Sequence, residues 1–238
     1  MLNFKIKFIS SQNKTDKQPK KHKIMANKSE LSLAAELLNI KAVKLQPEQP
    51  FTWASGWKSP FYCDNRKTLS FPALRTRVKL GLANLILDEF PEADIIAGVA
   101  TGAIAQGALV AEELGKPFVY VRPKAKDHGM GNQIEGDVFP GAKVIVVEDL
   151  VSTGLSSLRA VDALREAGVE VIGMVASFTY GFNVATEAFE KAGVRLITLT
   201  NYEAVLEAAK ATGYITEEVM PTLKEWRANP SEWRNDLK

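Results

Sequence analysis

The run Val144-Ile145-Val146-Val147-Glu148-Asp149-Leu150-Val151-Ser152-Thr153-Gly154-Leu155-Ser156-Ser157 gathers the residue types best suited to chemistry in this chain. Its four leading apolar residues predict a strand buried on both faces of a parallel sheet, with two adjacent carboxylates at its carboxyl end. A hydroxyl-and-glycine loop then opens directly into a helical pattern. Ser152, Thr153 and Ser156 offer hydroxyl donors, and Gly154 lets the backbone turn close to a ligand with no side chain between. Backbone N–H groups at the helix start and the helix dipole favour an anion there. Carboxylates repel a phosphate, so Glu148 and Asp149 have to recognise something else on the same ligand. Vicinal sugar hydroxyls or a magnesium ion meet that need. A ligand with a phosphate, a ribose diol and a metal-bound pyrophosphate would use every part. The bland alternative is a generic strand-turn-helix with acids at the strand end.

A second constellation precedes the first. Arg122, Lys124, Lys126 and His128 lie on a stretch punctuated by Gly129, Gly131 and Gly136. Positive side chains on such a loop suit a lid that closes over a polyanion, and the ordinary alternative is a solvated basic loop. Its place between two consecutive core strands favours the lid, because it reaches the same strand ends as the phosphate cradle. His128 is the only histidine outside the N-terminal tail, and a polar loop is a poor setting for a packed core histidine.

The elements that would position these groups alternate strand and helix from Asp94 onward. Strand patterns cover 95–100, 118–121, 143–147, 170–178 and 195–199, and helix patterns cover 103–114, 156–167 and 184–191. Gly115 and Gly168 stand where helices are expected to stop. Such alternation predicts an α/β fold, a central parallel sheet flanked by helices, with ligands at the carboxyl ends of the strands. Residues 1–28 read as a basic tail ahead of a distinct N-terminal segment, 29–93. That segment carries a helix over 29–39, short extended pieces near Val43, Phe51 and Phe61, and a long amphipathic helix over 71–90. Residues 94–238 form the core and end in two helices between 201 and 228, parted near Gly213, where Trp226 and Trp233 read as packing residues.

At 238 residues the chain can bury one substantial core, hiding ~70–75% of its unfolded surface. Hydrophobic residues make up 46% and charged residues 24%, the balance of an ordinary globular protein, and neither points to a disordered chain. The net charge of +2 conceals an asymmetry: residues 1–28 hold eight lysines against Asp16 alone, and the remainder holds 22 basic and 27 acidic residues. A short lysine-rich tail of low hydrophobicity is most simply disordered, and a nucleic-acid arm is the weaker reading. Met25-Ala26-Asn27, just before the first helical pattern, reads as the natural start, with the upstream residues an extension. The tail has neither the apolar core of a signal peptide nor the arginines of a transit peptide. Residues 95–111 are uncharged, but Gly98, Gly102 and Gly107 break them into strand, turn and helix, so no membrane span is expected. With Cys63 as the single cysteine no intrachain disulfide can form, and the expected location is cytoplasmic.

Residues 144–157 closely resemble the phosphoribosyl-pyrophosphate (PRPP) motif of type I phosphoribosyltransferases, a hydrophobic strand leading into two acids and a threonine-glycine loop. SGWKSPFYCDNR (55–66), GVATGAIA (98–105) and VRPKAKDHGMGNQIEG (121–136) resemble the orotate-specific branch of that family, and the likeness runs over roughly residues 29–230. The resemblance implies the type I phosphoribosyltransferase fold with a small N-terminal hood over the base. It implies magnesium-dependent transfer of ribose 5-phosphate from PRPP to N1 of orotate, in pyrimidine biosynthesis. Glu148 and Asp149 match the acids that orient the ribose hydroxyls and the associated magnesium, the metal being reached through PRPP and water. Leu150, Val151, Ser152, Thr153, Gly154, Leu155 and Ser156 match the 5′-phosphate loop. Arg122, Lys126 and His128 match the residues that grip pyrophosphate, with Lys126 and His128 as the catalytic pair. A lysine placed there stabilises the charge that pyrophosphate gains as the C1′–O bond breaks, and no nucleophilic side chain is required. In the family this loop reaches the neighbouring subunit's site, which implies a homodimer with shared active sites.

Residues 54–65 match the segment that packs over the orotate ring. Lys58 there either supplies charge or is structural, and Ser152 is the better candidate for orotate contact. The sequence departs from the enteric-bacterial form at Ala54, Gly102 and Pro123, where that form has lysines, and at Tyr180, where it has an arginine. Backbone N–H groups near Gly102 can serve in their stead. A purine phosphoribosyltransferase is the nearest alternative. A DNA-binding PRPP sensor is a second, although the residues before Asp94 show no clear helix-turn-helix.

Overall fold

The computed structural model describes residues 27–53, 55–124 and 133–234. Residues 1–26 of the expected tail, Ala54, residues 125–132 of the basic loop, with Lys126 and His128, and residues 235–238 lie outside the described residues; Asn27 and Lys28, counted in the tail, open the first helix. Helix α1 (Lys28–Asn39) opens on Asn27, whose side chain accepts from the N–H groups of Ser29 and Glu30 while the Glu30 carboxylate accepts from the Asn27 N–H. That reciprocal capping box satisfies donors a helix start would otherwise leave unpaired. Strands β1 (Val43–Leu45) and β4 (Phe61–Cys63) pair antiparallel, as do β2 (Phe51–Thr52) and β3 (Lys58–Ser59). A 3-10 turn over Asn65–Ser70 leads into α2 (Pro72–Glu89), with Pro72 in the first turn, where its missing N–H is not needed. The alternating part follows as β5 (Ile95–Val99), α3 (Ile104–Leu114), β6 (Phe118–Val121), β7 (Ile134–Glu135), β8 (Lys143–Val151), α4 (Leu155–Glu166), β9 (Glu170–Thr179), α5 (Asn183–Ala192), β10 (Leu196–Asn201), α6 (Tyr202–Ala211) and α7 (Met220–Ala228).

Strands β5 to β10 form one six-stranded sheet in the order β10-β9-β8-β5-β6-β7, parallel except for the antiparallel edge strand β7. Side chains alternate between its faces. Ile145 and Val147 enter the larger core with residues of α1, α2, α3 and α6. Val144 and Val146 enter the second core with Val161, Leu164, Ala185 and Phe189 of α4 and α5. Four consecutive apolar residues in β8 therefore follow from a strand with two dry faces.

Most boundaries fall within a residue or two of the sequence pattern, and three differences lie near the acids and the basic loop. β8 runs to Val151 rather than Val147, because Glu148, Leu150 and Val151 stay in register with Ala176, Phe178 and Thr179 of β9. The two acids thus sit inside the strand's last paired stretch. α4 begins at Leu155, one residue early. Ile134 and Glu135 of the basic loop return as β7 against Val121 and Tyr120, a pairing too short to show a period.

Trp226 of α7 is fully buried; its indole N–H donates to the Lys58 carbonyl at 3.1 Å and its ring lies parallel to that of Phe61, 6.3 Å away. Trp233 is buried too, so both tryptophans pack. No described helix is long and apolar enough to cross a membrane. Trp226→Ala should cost about 3–5 kcal/mol of folding stability. Trp226→Phe should cost less, about 1–3 kcal/mol, chiefly through the lost hydrogen bond. Urea unfolding followed by circular dichroism measures both, and an alanine variant as stable as the parent would contradict the packing role.

Candidate active site

Strand order reverses between β5 and β8, and that reversal opens a crevice at the carboxyl ends of the two strands. β8 delivers Glu148 and Asp149 to one wall, and the turn after β5 forms the other. A Cβ on Gly102 would fall 2.3 Å from Asp149 Oδ2, so only glycine lets that turn lie against the carboxylate.

Glu148 is 4% exposed. Its Oε2 accepts from Ser157 Oγ at 2.8 Å and its Oε1 accepts from the Asp149 N–H at 3.0 Å. Burial pushes the Glu148 carboxyl well above the usual carboxylate range, and the adjacent Asp149 charge adds to the shift. Burial also raises Asp149, against the downward pull of its hydrogen bond with Glu148 and of the positive Arg66. Two like charges side by side and out of water favour retention of a proton.

Gly154 turns at φ +80° and starts α4 without a side-chain cap, so the first-turn N–H groups have no acceptor within the helix. Ser152 and Thr153 are half-buried and Ser156 is exposed, which leaves their hydroxyls reachable. The side chains of Leu150 and Val151 pack into the two cores, leaving only their main chain to a ligand. Arg122, just past β6, meets Ser156 across a 60 Å³ pocket also lined by Pro123, Gln133 and Arg159. Arg122 Nη1 is buried without a hydrogen-bond partner among the described residues, 3.7 Å from Glu135 Oε1. Its donors suit an anion. Two larger cavities, of 470 and 390 Å³, lie elsewhere and hold no residue singled out for the site.

The structure thus brings Glu148, Asp149 and the 152–156 loop to one crevice, with Arg122 beside the loop. It adds two residues that the sequence reading missed. Arg159 stands three after Ser156, the spacing that puts both on one helix face, and that spacing was the available signal. Asn65 donates from Nδ2 to the Asp149 carbonyl at 2.7 Å across 84 positions of sequence, a link no local pattern carries. Lys58 Nζ donates to Thr52 Oγ1 at 3.0 Å, in keeping with a structural lysine. Tyr180 is 2% exposed among Trp53, Phe61, Phe178, Phe182 and Trp226. The nearby Arg227 donates to the Tyr180 and Gly181 carbonyls and pairs with Glu203. Among the described residues no group of three or more His, Cys, Asp or Glu side chains could hold a metal.

The raised carboxyl of Glu148 has a stability consequence of definite sign. Its contribution is full below the unfolded value, near 4.5, and is lost as pH rises through the folded value. Glu148→Gln should therefore be more stable than the parent at neutral pH, and the gap should close as pH falls towards 4.5. Urea unfolding across that range checks both sign and slope.

Residues 73–206, more than half of the chain, match the model of the phosphoribosyl transferase domain family. The orotate phosphoribosyltransferase of Phocaeicola vulgatus is 66% identical over 200 residues, covering 84% of this chain and 94% of that protein. The crystal structure of orotate phosphoribosyltransferase from Aeropyrum pernix is similar with a TM-score of 0.68 at 31% identity, covering 77% of this chain and 99% of that one. The Mycobacterium tuberculosis H37Rv orotate phosphoribosyltransferase in complex with PRPP gives a TM-score of 0.58 at 25% identity, over 74% of this chain and 98% of that one. With this sheet, crevice and acid pair, the chain belongs to the orotate phosphoribosyltransferases of the phosphoribosyltransferase family.

Proposed function

We propose that the crevice between β5 and β8 binds PRPP through three sets of contacts: Glu148 and Asp149 on the ribose hydroxyls, the 152–156 loop on the 5′-phosphate, and Arg122 with Lys126 and His128 on the pyrophosphate. The reaction of the family moves ribose 5-phosphate from PRPP to N1 of orotate, giving orotidine 5′-monophosphate and pyrophosphate. One observation carries the assignment: a single short segment passes from a buried and a half-buried acid to a left-handed turn and an uncapped helix start. Acceptors for hydroxyls and donors for a phosphate thereby lie side by side. Ser152, half-buried between the acids and the turn, is the residue we assign to orotate contact.

As the C1′–O bond breaks and the C1′–N1 bond forms, the anomeric carbon becomes oxocarbenium-like and the departing pyrophosphate gains charge. Glu148 and Asp149 hold the ribose in place and set negative charge near the electron-poor sugar. Hydroxyl donors favour the ionised carboxylates, so binding draws the retained proton off the pair. Arg122 and Lys126 meet the leaving charge, and His128 adds a donor from the same loop. Magnesium, when bound, neutralises pyrophosphate charge. An acid pair with no further ligating cluster among the described residues suits an ion held mainly by substrate phosphates and water, and Glu148 and Asp149 would reach it through both.

We further infer a cytoplasmic homodimer in which the loop bearing Lys126 serves the neighbouring subunit's site, as the family resemblance implies. PRPP and orotate are its partners, with no part for nucleic acid or membrane. Lys126→Ala should lower turnover at saturating PRPP by roughly 100-fold while weakening PRPP binding less than about ten-fold. Orotate depletion with magnesium and PRPP, set beside a binding titration, separates the two, and equal losses would argue against a transition-state role. Mixing Lys126→Ala with Asp149→Ala protein under conditions of subunit exchange should restore part of the activity. Inactive hybrids of confirmed composition would sink the shared site.

A further inference from the structure

A buried polar chain joins the hood to the acid pair and has no part in the contacts above. Asn65, at the start of the 3-10 turn, is 4% exposed and Thr68 is 2% exposed. Asn65 Nδ2 donates to the Asp149 carbonyl at 2.7 Å, its Oδ1 accepts from the Cys63 thiol at 3.3 Å, and its own carbonyl accepts from Thr68 Oγ1 at 2.6 Å. Thr68 Oγ1 in turn accepts from Gln106 Nε2 of α3 at 3.4 Å. The ladder between β5 and β8 ends at Gly98 opposite Val147, so β8 continues past it to Asp149 without that neighbour. The Asn65 amide supplies a donor to the uncovered stretch. Asp149 is therefore held at its carbonyl by Asn65 and pressed at its carboxylate against Gly102.

We propose that Asn65 is a positioning residue for PRPP recognition: through the Asp149 carbonyl, its amide fixes where the Asp149 carboxylate meets the ribose hydroxyls. The inference rests on the assignment of Glu148 and Asp149 to those hydroxyls. It also gives the hood a second task, since the turn that follows the orotate-covering segment sets the geometry of the PRPP side.

The test is a double-mutant cycle on the full chain, with magnesium-PRPP binding read by titration and melting temperature read alongside. Asn65→Ala should weaken PRPP binding roughly ten-fold, the loss of one buried hydrogen bond, and should add nothing in the Asp149→Ala background. Thr68→Val breaks the same network on its far side and leaves the bond to Asp149 in place. It should lower the melting temperature and leave PRPP affinity unchanged. The inference falls if Asn65→Ala weakens PRPP binding no more than Thr68→Val at a comparable loss of melting temperature, or if its effect adds in full to that of Asp149→Ala. If Asp149→Ala binds PRPP as the parent does, the acid-pair assignment fails and carries the inference with it.

Discussion

Two adjacent carboxylates held away from water at the end of the central strand are the constraint on which the rest of this structure turns. A carboxyl taken out of water prefers its protonated form. Glu148 and Asp149 are both pushed that way by burial. The fold tempers the strain with the Ser157 hydroxyl, the Asp149 N–H and the positive Arg66, and it keeps the pair inside a strand still paired with β9. An isolated pair on a loop would relax into solvent. Here pairing with β9 keeps the backbone extended, so the pair stays raised until donors that favour the ionised form meet it.

Holding the N-terminal segment, the hood of the family resemblance, against the core is a separate physical problem, because its strands are far from the core strands in sequence and, among the described residues, share no ladder with the main sheet. Aromatic packing solves it. Phe61 of β4 lies 5.7 Å from Phe178 of β9, 5.1 Å from Tyr202 of α6 and 6.3 Å from Trp226 of α7. Trp53, between β2 and β3, packs on Tyr180 and Trp226. Rings bury large areas with little side-chain freedom to lose, so one cluster fixes hood, sheet and C-terminal helix together. The polar chain through Asn65 runs beside it and adds direction to what the rings supply as adhesion.

The parallel core was legible in the sequence because its signals repeat locally. The strand over 118–121 falls where its pattern put it, and Gly115 ends α3 in the left-handed conformation its position suggested. β8 was read four residues short for a physical reason: acids at 148 and 149 look like a strand end, whereas the neighbouring strand, invisible to local pattern, keeps them extended. The acid pair and the 152–156 loop could be read as a candidate site because they are contiguous. Asn65 and Arg159 could not, since one makes its contact 84 residues away and the other is one of two arginines on an amphipathic helix, where charge is ordinary. Sequence shows what a segment can do alone and hides what two segments do only when they meet.

The same distinction accounts for the positions where this chain parts from the enteric-bacterial pattern. At Gly102 a side chain and the observed place of Asp149 are mutually exclusive, because the first carbon would overlap the carboxylate. At Tyr180 an arginine would replace a ring enclosed by five others, stranding a guanidinium in an apolar cluster. Arg227 approaches only from outside, where its donors are taken by the Tyr180 and Gly181 carbonyls. The packing at Gly102 and at Tyr180 thus leaves no room for a cation at either position. A chain that lays Asp149 against a glycine and encloses Tyr180 in aromatic rings has no cation at either position, and main-chain donors, which need no room for a side chain, suit an anion in their stead.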